Sequence, residues 1–350
     1  MLPEPLRGYS SYREWLEAEE EFKGRVVFAR LLPKAPPRPA PYEGAFAGVL
    51  RALGLTPYLH QQRALKRVEA GANVVLAYPT AAGKSLVYQA PGLQAALEGA
   101  TSLLLFPTKA LAHDQLRRLR AMAQVLGVEG VFPYDGDTPS ATRRQARERG
   151  LVLLSNPDML HYGLLPRHPD WAPFLARLRY VVLDELHAYR GVFGTHVALI
   201  LRRLLRLARH YGASPQVLAA SATIANAREH AEALTGLPFE ELKAQVARTE
   251  RELLVLLPKP LDRRGERRRS PLLEAAYLAR RLAEAGLKGL VFAGARKSAE
   301  LIARYAAHPL VRPYRAGYTA RERRRLEADL KEGRVRVLVS TSALELGVDI

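Results

Sequence analysis

The chain has 350 residues, 48% of them apolar and 25% charged, which excludes a disordered chain and suits two globular domains with some extra sequence. The net charge of +18, with arginine about four times as frequent as lysine, favours a polyanionic partner, nucleic acid before a membrane surface. The lack of cysteine excludes disulfides and cysteine-ligated metal sites, and the lack of a signal peptide or a membrane-length apolar run predicts a soluble cytoplasmic protein.

Residues 1–50 are predicted to form an N-terminal extension. Its proline-rich stretch, residues 33–41, is expected to be an extended arm, because proline fixes φ and removes a backbone donor. From residue 51 onwards, apolar runs of strand length alternate with helical patterns, which predicts an α/β domain with a parallel sheet covered on both faces. The predicted strands are 74–77, 102–106, 152–155, 180–183 and 216–220, and the predicted helices include 86–98, 109–126 and 196–210.

A charged segment without periodicity, residues 261–270, is the best candidate for a linker between a first domain at 51–260 and a second at 271–350. Beyond it the alternation restarts, and the chain is expected to end inside the second domain. The predicted helices there are 272–285, 297–307 and 320–332, and the predicted strands are 289–293, 311–314 and 335–340.

A phosphate-binding loop is predicted at residues 77–85, Ala-Tyr-Pro-Thr-Ala-Ala-Gly-Lys-Ser, directly after an apolar strand. Backbone N–H groups at a helix N-terminus attract phosphate, Lys84 adds a full positive charge, and Ser85 can bind Mg²⁺. Tyr78 stands where the common pattern has its first glycine. Because alanine avoids positive φ, Ala81 and Ala82 are both expected to keep negative φ. The alternative is an ordinary strand–helix turn with an incidental lysine.

A second apolar strand, residues 180–183, ends in Asp184 and Glu185. Asp184 is expected to bind Mg²⁺, and Glu185 to orient or deprotonate the attacking water, which is the division of roles that hydrolysis of a nucleoside triphosphate requires. Taken alone, the two acids are also compatible with a solvated cap at the end of a strand. Their position about a hundred residues after the phosphate loop favours the catalytic interpretation.

The chain resembles the superfamily 2 helicases of the DEAD/H-box type, whose motifs occur here in the same order. Within that superfamily it is most similar to the MrfA/Hrq1-like 3′–5′ DNA helicases, through residues 156–161, 184–194, 314–318 and 343–350. The resemblance covers roughly residues 35–350 and implies two RecA-like P-loop NTPase domains. The matching segments are 58–61 (Q motif), 80–85 (I), 106–111 (Ia), 155–158 (Ib), 184–187 (II), 221–223 (III), 290–293 (IV) and 341–349 (V).

This resemblance implies a set of site residues, with ATP and Mg²⁺ as cofactors and Lys84, Asp184 and Glu185 as the catalytic groups. Ser85 and Asp184 would bind the metal. Nucleotide contacts are assigned to Tyr58, Gln61, Pro79, Thr80, Ala81, Ala82, Gly83, Lys84, Ser85, His187, Gly347 and Asp349. Nucleic-acid contacts are assigned to Pro107, Thr108, Lys109, Ser155, Asn156, Asp158, Arg315, Gly317, Thr341 and Ser342.

Simpler interpretations of these short segments remain open. Polar loops such as 155–158 are commonly Asx or Ser turns, and Ser221 to Thr223 has the pattern of a helix cap. The arginine clusters at 143–149 and 321–325 are compatible with solvated helix faces, and the arginines of 263–269 with a solvated hinge.

The expected function is an ATP-dependent DNA helicase or translocase that moves 3′–5′ on single-stranded DNA, as a monomer, with no membrane association. A role in DNA repair is implied by the resemblance alone, and the sequence identifies no protein partner. Motif VI, which supplies the family's arginine finger, and the family's four-cysteine module do not occur within the 350 residues. That absence leaves open an ATP-gated nucleic-acid-binding fragment with little hydrolysis. An RNA helicase and a duplex translocase also stay open, because the sequence does not distinguish the type of nucleic acid.

Overall fold

The computed structural model describes residues 3–79, 81–222, 224–244, 246, 249–262, 264–315 and 317–341. The chain divides into two compact units, which are treated separately below. One unit comprises residues 36–248, and the other combines residues 1–35 with residues 249–350.

Helices and strands alternate through both units. The strands are β1 (Val26–Leu32), β2 (Val74–Ala77), β3 (Thr101–Leu105), β4 (Val131–Tyr134), β5 (Val152–Ser155), β6 (Leu178–Leu183), β7 (Gln216–Ser221), β8 (Glu240–Lys243), β9 (Arg251–Leu256), β10 (Gly289–Phe292), β11 (Val311–Tyr314) and β12 (Val337–Ser340). The α-helices are α1 (Tyr12–Glu17), α2 (Ala47–Ala52), α3 (Leu59–Glu69), α4 (Lys84–Leu97), α5 (Lys109–Val125), α6 (Ser140–Arg149), α7 (Pro157–Met159), α8 (Ala172–Ala176), α9 (Gly191–His210), α10 (Ala227–Thr235), α11 (Pro271–Glu284), α12 (Arg296–Ala306) and α13 (Ala320–Glu332).

The unit of residues 36–248 is built on a parallel sheet. Within the described residues its seven strands run in the order β4-β5-β3-β6-β7-β2-β8, and every neighbouring pair is parallel. The central strands β2, β3 and β5 are buried along their whole length because apolar side chains face helices on both sides. The predicted α/β class with a parallel sheet is confirmed, and all five strands predicted for this sheet are present within two residues at either end.

The strands that the sequence did not predict in this sheet lie at its edges. β4 contains Pro133, which lacks a backbone donor, and β4 pairs only with β5 among the described strands. β8 at the opposite edge contains three charged residues and pairs with β2. Proline and charge both protect a sheet edge from further pairing, and both remove the apolar signal by which a strand is recognised in a sequence.

The second unit contains a smaller parallel sheet, with the described strands in the order β10-β12-β11. Its apolar core is formed by α11, α12 and this sheet. The predicted strands and helices of this region are present, β11 and α13 with the predicted bounds. A separate antiparallel pair joins β1, near the start of the chain, to β9, more than two hundred residues later.

A buried ion pair fixes the N-terminal segment to α11. Arg25 and Glu274 are only 8% and 7% exposed, and the guanidinium binds the carboxylate through two hydrogen bonds of 2.8 and 2.9 Å. Arg269 Nε and the backbone N–H of Lys259 also donate to Glu274, at 2.8 and 2.7 Å. Burial alone raises the pKa of Glu274, but the donors from Arg25, Arg269 and Lys259 outweigh it and lower the pKa to about 2.

Residues of the predicted linker form a closed turn beside this ion pair. Pro260 and Arg268 form an antiparallel bridge, and Asp262 accepts hydrogen bonds from the backbone N–H groups of Glu266 and Arg267. Arg269 stacks on Tyr277, 4.2 Å from the centre of the ring. In an open linker, the same backbone and side-chain groups would instead hydrogen-bond to water.

None of the helices in the described part of the chain has the length and apolar character needed to cross a membrane.

Replacement of Glu274 by glutamine is expected to lower the free energy of unfolding of its unit by about 3 kcal/mol, because two guanidinium groups lose their buried counter-charge. The pKa of Glu274 lies below its ordinary value of 4.5, so its contribution to stability is complete above about pH 4.5 and is lost as the pH falls towards 2. Urea unfolding between pH 3 and 7 measures both effects.

The matched control is Glu284→Gln, which removes a carboxylate that pairs with Arg280 and Arg281 on the surface. It is expected to cost less than about 1 kcal/mol. Equal losses in the two variants would contradict a special role for the buried pair.

Candidate nucleotide and nucleic-acid site

The phosphate loop connects the end of β2 to the start of α4, as predicted. Gly83 lies directly before α4 with φ of +71°, and a Cβ at this position would overlap the side-chain amide of Gln61. The expectation for Ala81 is wrong, since Ala81 has φ of +61°, whereas Ala82 keeps a negative φ. Turning the chain tightly enough to start α4 at Lys84 requires left-handed backbone at Ala81, at a cost of about 1 kcal/mol or more.

Side chains at the start of α3 hold this loop in place. Gln61 is buried and donates from Nε2 to the carbonyl of Gly83 at 2.9 Å, while its Oε1 accepts from the backbone N–H of Tyr58 at 2.7 Å. His60 Nε2 contacts the carbonyl of Ala82 at 2.8 Å. The proline-rich arm supports this region in turn, because Pro39 and Tyr58 form an antiparallel bridge.

The acids follow β6, which is separated by β7 from β2, the strand that leads to the phosphate loop. Asp184 is buried and accepts two hydrogen bonds of 2.9 Å, one from the Tyr88 hydroxyl and one from the backbone N–H of Glu185. Glu185 has φ of +49°, which is strained for a residue other than glycine. Ser85 lies one helical turn before Tyr88 on α4, the helix whose tyrosine contacts Asp184.

Burial shifts the pKa of each charged group in this cluster. The pKa of Asp184 is raised to about 6, by burial first and by the negative charge of Glu185 second. Burial raises the pKa of Glu185 and lowers that of Lys84, and the attraction between Lys84 and the two acids opposes both shifts. The Lys84 ammonium also donates to the carbonyls of Tyr78 at 3.2 Å and Pro79 at 3.4 Å. The structure therefore brings the lysine and both acids into one electrostatic cluster.

The donors of this cluster fit Mg²⁺, which prefers oxygen ligands and retains several waters. The Asp184 carboxylate has lone pairs beyond the two hydrogen bonds that it accepts, and Ser85 contributes a hydroxyl oxygen at the start of α4. In complexes of this kind the ion neutralises charge on the phosphate groups.

His187 connects the acids to β7. Its Nδ1 lies 3.4 Å from Glu185 Oε2, from Ser221 Oγ and from the backbone nitrogen of Ala222. Ser221 is fully buried at the end of β7, in register with Ala77 at the end of β2. The ends of β6 and β7 therefore meet at one group of polar atoms, beside the end of β2.

The nucleic-acid residues predicted in this unit follow β3 and β5, on the other half of the same sheet edge. Thr108 caps α5 by accepting from the backbone N–H of Leu111 at 3.4 Å, and Asn156 caps α7 by accepting from that of Met159 at 2.8 Å. Ser155 is buried and donates to the carbonyl of Tyr134 at 2.5 Å, whereas Lys109 and Asp158 are exposed. The Lys109 ammonium bonds Asp137 at 2.8 Å, and Pro107 immediately precedes the cap.

The remaining predicted contacts lie in the second unit. Arg315 follows β11, pairs with Glu300 at 2.8 Å and stacks on Tyr318 at 5.0 Å. Gly317 lies in the turn that follows, and Thr341 follows β12. Because β11 and β12 pair in register with Tyr314 opposite Ser340, Arg315 and Thr341 follow adjacent strand ends. Thr80, Ser342, Gly347 and Asp349 lie outside the described residues, as does Thr223 of the predicted motif III.

Comparison with known proteins identifies the family. Residues 58–231 match the model of the DEAD/DEAH box helicases, and residues 273–350 match that of the helicase conserved C-terminal domain. The chain is 40% identical to the ATP-dependent helicase YprA of Bacillus subtilis, over 99% of this chain and 46% of that protein. It is 34% identical to the ATP-dependent helicase HRQ1 of Saccharomyces cerevisiae, over 84% of this chain and 29% of that protein.

Solved structures agree with this result. The helicase MrfA bound to DNA superposes with a TM-score of 0.84 at 36% identity, covering 97% of this chain and 48% of that one. MrfA bound to DNA and AMPPNP gives 0.82 at 38% identity, covering 93% and 48%. This chain belongs to the DEAD/DEAH-box helicases of superfamily 2. It is of the MrfA/Hrq1 type and spans less than half the length of the relatives named here.

Two structural members of this helicase site were not predicted from the sequence. Tyr88 lies on α4 one turn after Lys84, and its hydroxyl is the only side-chain donor to Asp184 among the described residues. His60, between the predicted Tyr58 and Gln61, contacts the loop carbonyl of Ala82. No sequence signal distinguishes Tyr88 from an ordinary core tyrosine, because its role depends on a tertiary contact with Asp184.

Because Ala81 and Ala82 differ in backbone conformation, glycine is expected to affect stability differently at the two positions. Ala81→Gly is expected to leave stability unchanged or to raise it slightly, because relief of the positive φ offsets the greater flexibility of glycine in the unfolded chain. Ala82→Gly has no strain to relieve and is expected to cost about 0.5–1 kcal/mol. Thermal unfolding of both variants beside the wild type measures the difference, and a larger loss at Ala81 would contradict the left-handed conformation.

Proposed function

We propose that this chain is the ATP-driven core of a DNA helicase that couples hydrolysis to 3′–5′ movement along single-stranded DNA. The domain bounds of 51–260 and 271–350 and the roles of the site residues are part of this proposal. A monomer acting in DNA repair is the biological setting that the family resemblance favours.

One observation supports the proposal most strongly. The carboxyl edge of a single parallel sheet carries the phosphate loop after β2 and the acids after β6. The same edge carries, at β3 and β5, the residues predicted to contact nucleic acid. Ligands of open α/β sheets bind at this edge. Hydrolysis and nucleic-acid contact would therefore use adjacent strand ends of one rigid element.

Each member of the charge cluster has a chemical role in the proposed hydrolysis. Lys84 would bind the β- and γ-phosphates as they gain charge, and Ser85 and Asp184 would hold Mg²⁺. Glu185 would position the attacking water and accept its proton, a role that suits a carboxylate whose pKa is raised by burial. His187 would sense the γ-phosphate through its contacts with Glu185 and Ser221.

DNA is favoured over RNA because the similar MrfA structures are bound to DNA, one of them together with AMPPNP. The high net charge of +18 supports a polyanionic partner without distinguishing the two. Single-strand preference and direction of movement are carried over from the family resemblance.

Lys84→Ala is expected to reduce ATP turnover at least about 100-fold, because the transferred phosphoryl group loses its fixed counter-charge. Glu185→Gln is expected to keep ATP affinity within roughly threefold while slowing hydrolysis by about 100-fold or more. Steady-state phosphate release and binding of a fluorescent ATP analogue separate the two effects. Lys66→Ala, on the exposed face of α3, is the control for loss of a lysine, and turnover equal to wild type in either site variant would contradict these roles.

The choice of nucleic acid is tested by ATP turnover in the presence of single-stranded DNA, duplex DNA or RNA of equal length. Single-stranded DNA is expected to stimulate turnover most. Greater stimulation by RNA or by duplex would favour an RNA helicase or a duplex translocase. Nucleotide binding without turnover under any of these conditions would favour an ATP-gated binding protein.

A further inference from the structure

A cavity of about 440 Å³ lies at the β4–β5 side of the large sheet, within the unit of residues 36–248. Its walls come from the end of β4, from α6 and from the segment that follows α7. Its volume lies in the range of small-molecule sites, about 300–1,000 Å³. The lining residues used below are Tyr134, Arg143, Arg144, Arg147, Tyr162 and Arg167.

The cavity is strongly basic. Arg147 pairs with Asp170 at 3.2 Å, while Arg144 and Arg167 are exposed and have no ion-pair partner among the described residues. Arg143 is fixed by donating to the carbonyls of Asp135 and Gly136 at 3.0 and 2.9 Å. Its Nε is buried without a partner in the described part of the chain. Four guanidinium groups line the cavity and only Arg147 pairs with a carboxylate among the described residues, which leaves a local excess of positive charge that suits phosphate.

An aromatic ring completes the cavity. Tyr162 is 77% exposed, although tyrosine rings usually pack against other side chains, and it lies in the π-helical turn Leu160–Leu164. Such turns are rare and are frequent at functional sites. Tyr162 also lines a second cavity of about 460 Å³, together with His161 and Phe193. An exposed ring beside unpaired arginines has the composition of a platform on which an unpaired base stacks.

The cavity lies close to the residues that are predicted to contact nucleic acid. Tyr134 contributes to its wall and accepts a hydrogen bond from Ser155, one residue before Asn156. Tyr162 lies only six residues beyond Asn156, in the turn that continues the helix capped by this residue. A single strand of DNA that contacts Ser155 and Asn156 would therefore pass close to the arginines of the cavity.

We infer that this cavity binds one unpaired nucleotide of the translocated strand, with its base stacked on Tyr162 and its phosphates bound by Arg144 and Arg167. This inference rests on the proposed function, and it extends the nucleic-acid contact surface beyond the residues predicted from the sequence. The stacked base anchors the strand at the outer side of the sheet. The stacking contact is independent of base identity, because every base has a π-face.

Tyr162→Ala is expected to weaken binding of an oligothymidylate of about 15 nucleotides by roughly 5- to 100-fold, whereas Tyr162→Phe keeps the ring and stays within about twofold of wild type. Oligonucleotides with a single 2-aminopurine at successive positions locate the contact. Wild type and Tyr162→Phe should quench its fluorescence strongly at one position, and Tyr162→Ala should lose that quenching. Equal affinities for Tyr162→Ala and wild type, or equal losses with alanine and phenylalanine, would overturn the stacking role.

The arginines are tested by the double variant Arg144→Ala/Arg167→Ala, with Arg206→Ala/Arg209→Ala on the exposed face of α9 as a control of equal charge change. Removal of two phosphate contacts should reduce the slope of log affinity against log salt concentration by about 1.4, and the control pair should leave it nearly unchanged. Equal slopes in the two double variants would overturn the assignment.

Turnover of ATP without nucleic acid should be the same in all these variants and in wild type. A wild type that binds no oligonucleotide, with or without nucleotide, would refute the proposed function itself. A wild type that binds and is stimulated, with cavity variants that bind equally well, would refute only the inference about the cavity.

Discussion

The site depends on a lysine and two carboxylates that are held together out of water. Burial raises the pKa of Asp184 and Glu185 and lowers that of Lys84, so each group is less easily charged here than on the surface. The same low-dielectric surroundings strengthen any interaction with phosphate or a divalent ion. The fold therefore accepts a local loss of stability at the position proposed for hydrolysis, and buried charge of this kind is common at functional sites.

Rigid surroundings make this arrangement possible. Asp184 and Ser221 lie at the ends of two adjacent strands, β6 and β7. Gln61 holds the phosphate loop through a hydrogen bond, and Tyr88 holds Asp184 through another. Positive φ at Ala81 and Glu185 persists because these contacts over-determine the backbone. Strain and buried charge thus occur on the same short segments, each supported by a neighbouring strand or helix.

Sequence reasoning located the central strands and the two motif-bearing turns because long apolar runs and ordered motifs are local signals. It did not find β4 or β8, whose proline and charges suit them to sheet edges, nor the pairing of β1 with β9, whose partners are far apart in the chain. It also misjudged Ala81, because backbone conformation there is imposed by tertiary contacts that outweigh the preference of alanine. The hydrogen bond of Tyr88 to Asp184 has the same origin, since it depends on packing of α4 against β6.

The sheet also joins the ends of β6 and β3 through one shared carbonyl. The backbone N–H of Asp184 donates to the carbonyl of Leu105 at 3.0 Å, and the Tyr189 hydroxyl donates to the same carbonyl at 3.4 Å. Leu105 is the last residue of β3, two residues before Pro107 and three before the cap at Thr108. Under the proposed function, a shift of Asp184 would therefore act through this one carbonyl on the residues that precede the Thr108 cap. Close packing of β6 against β3 would pass such a shift directly from one strand to the other.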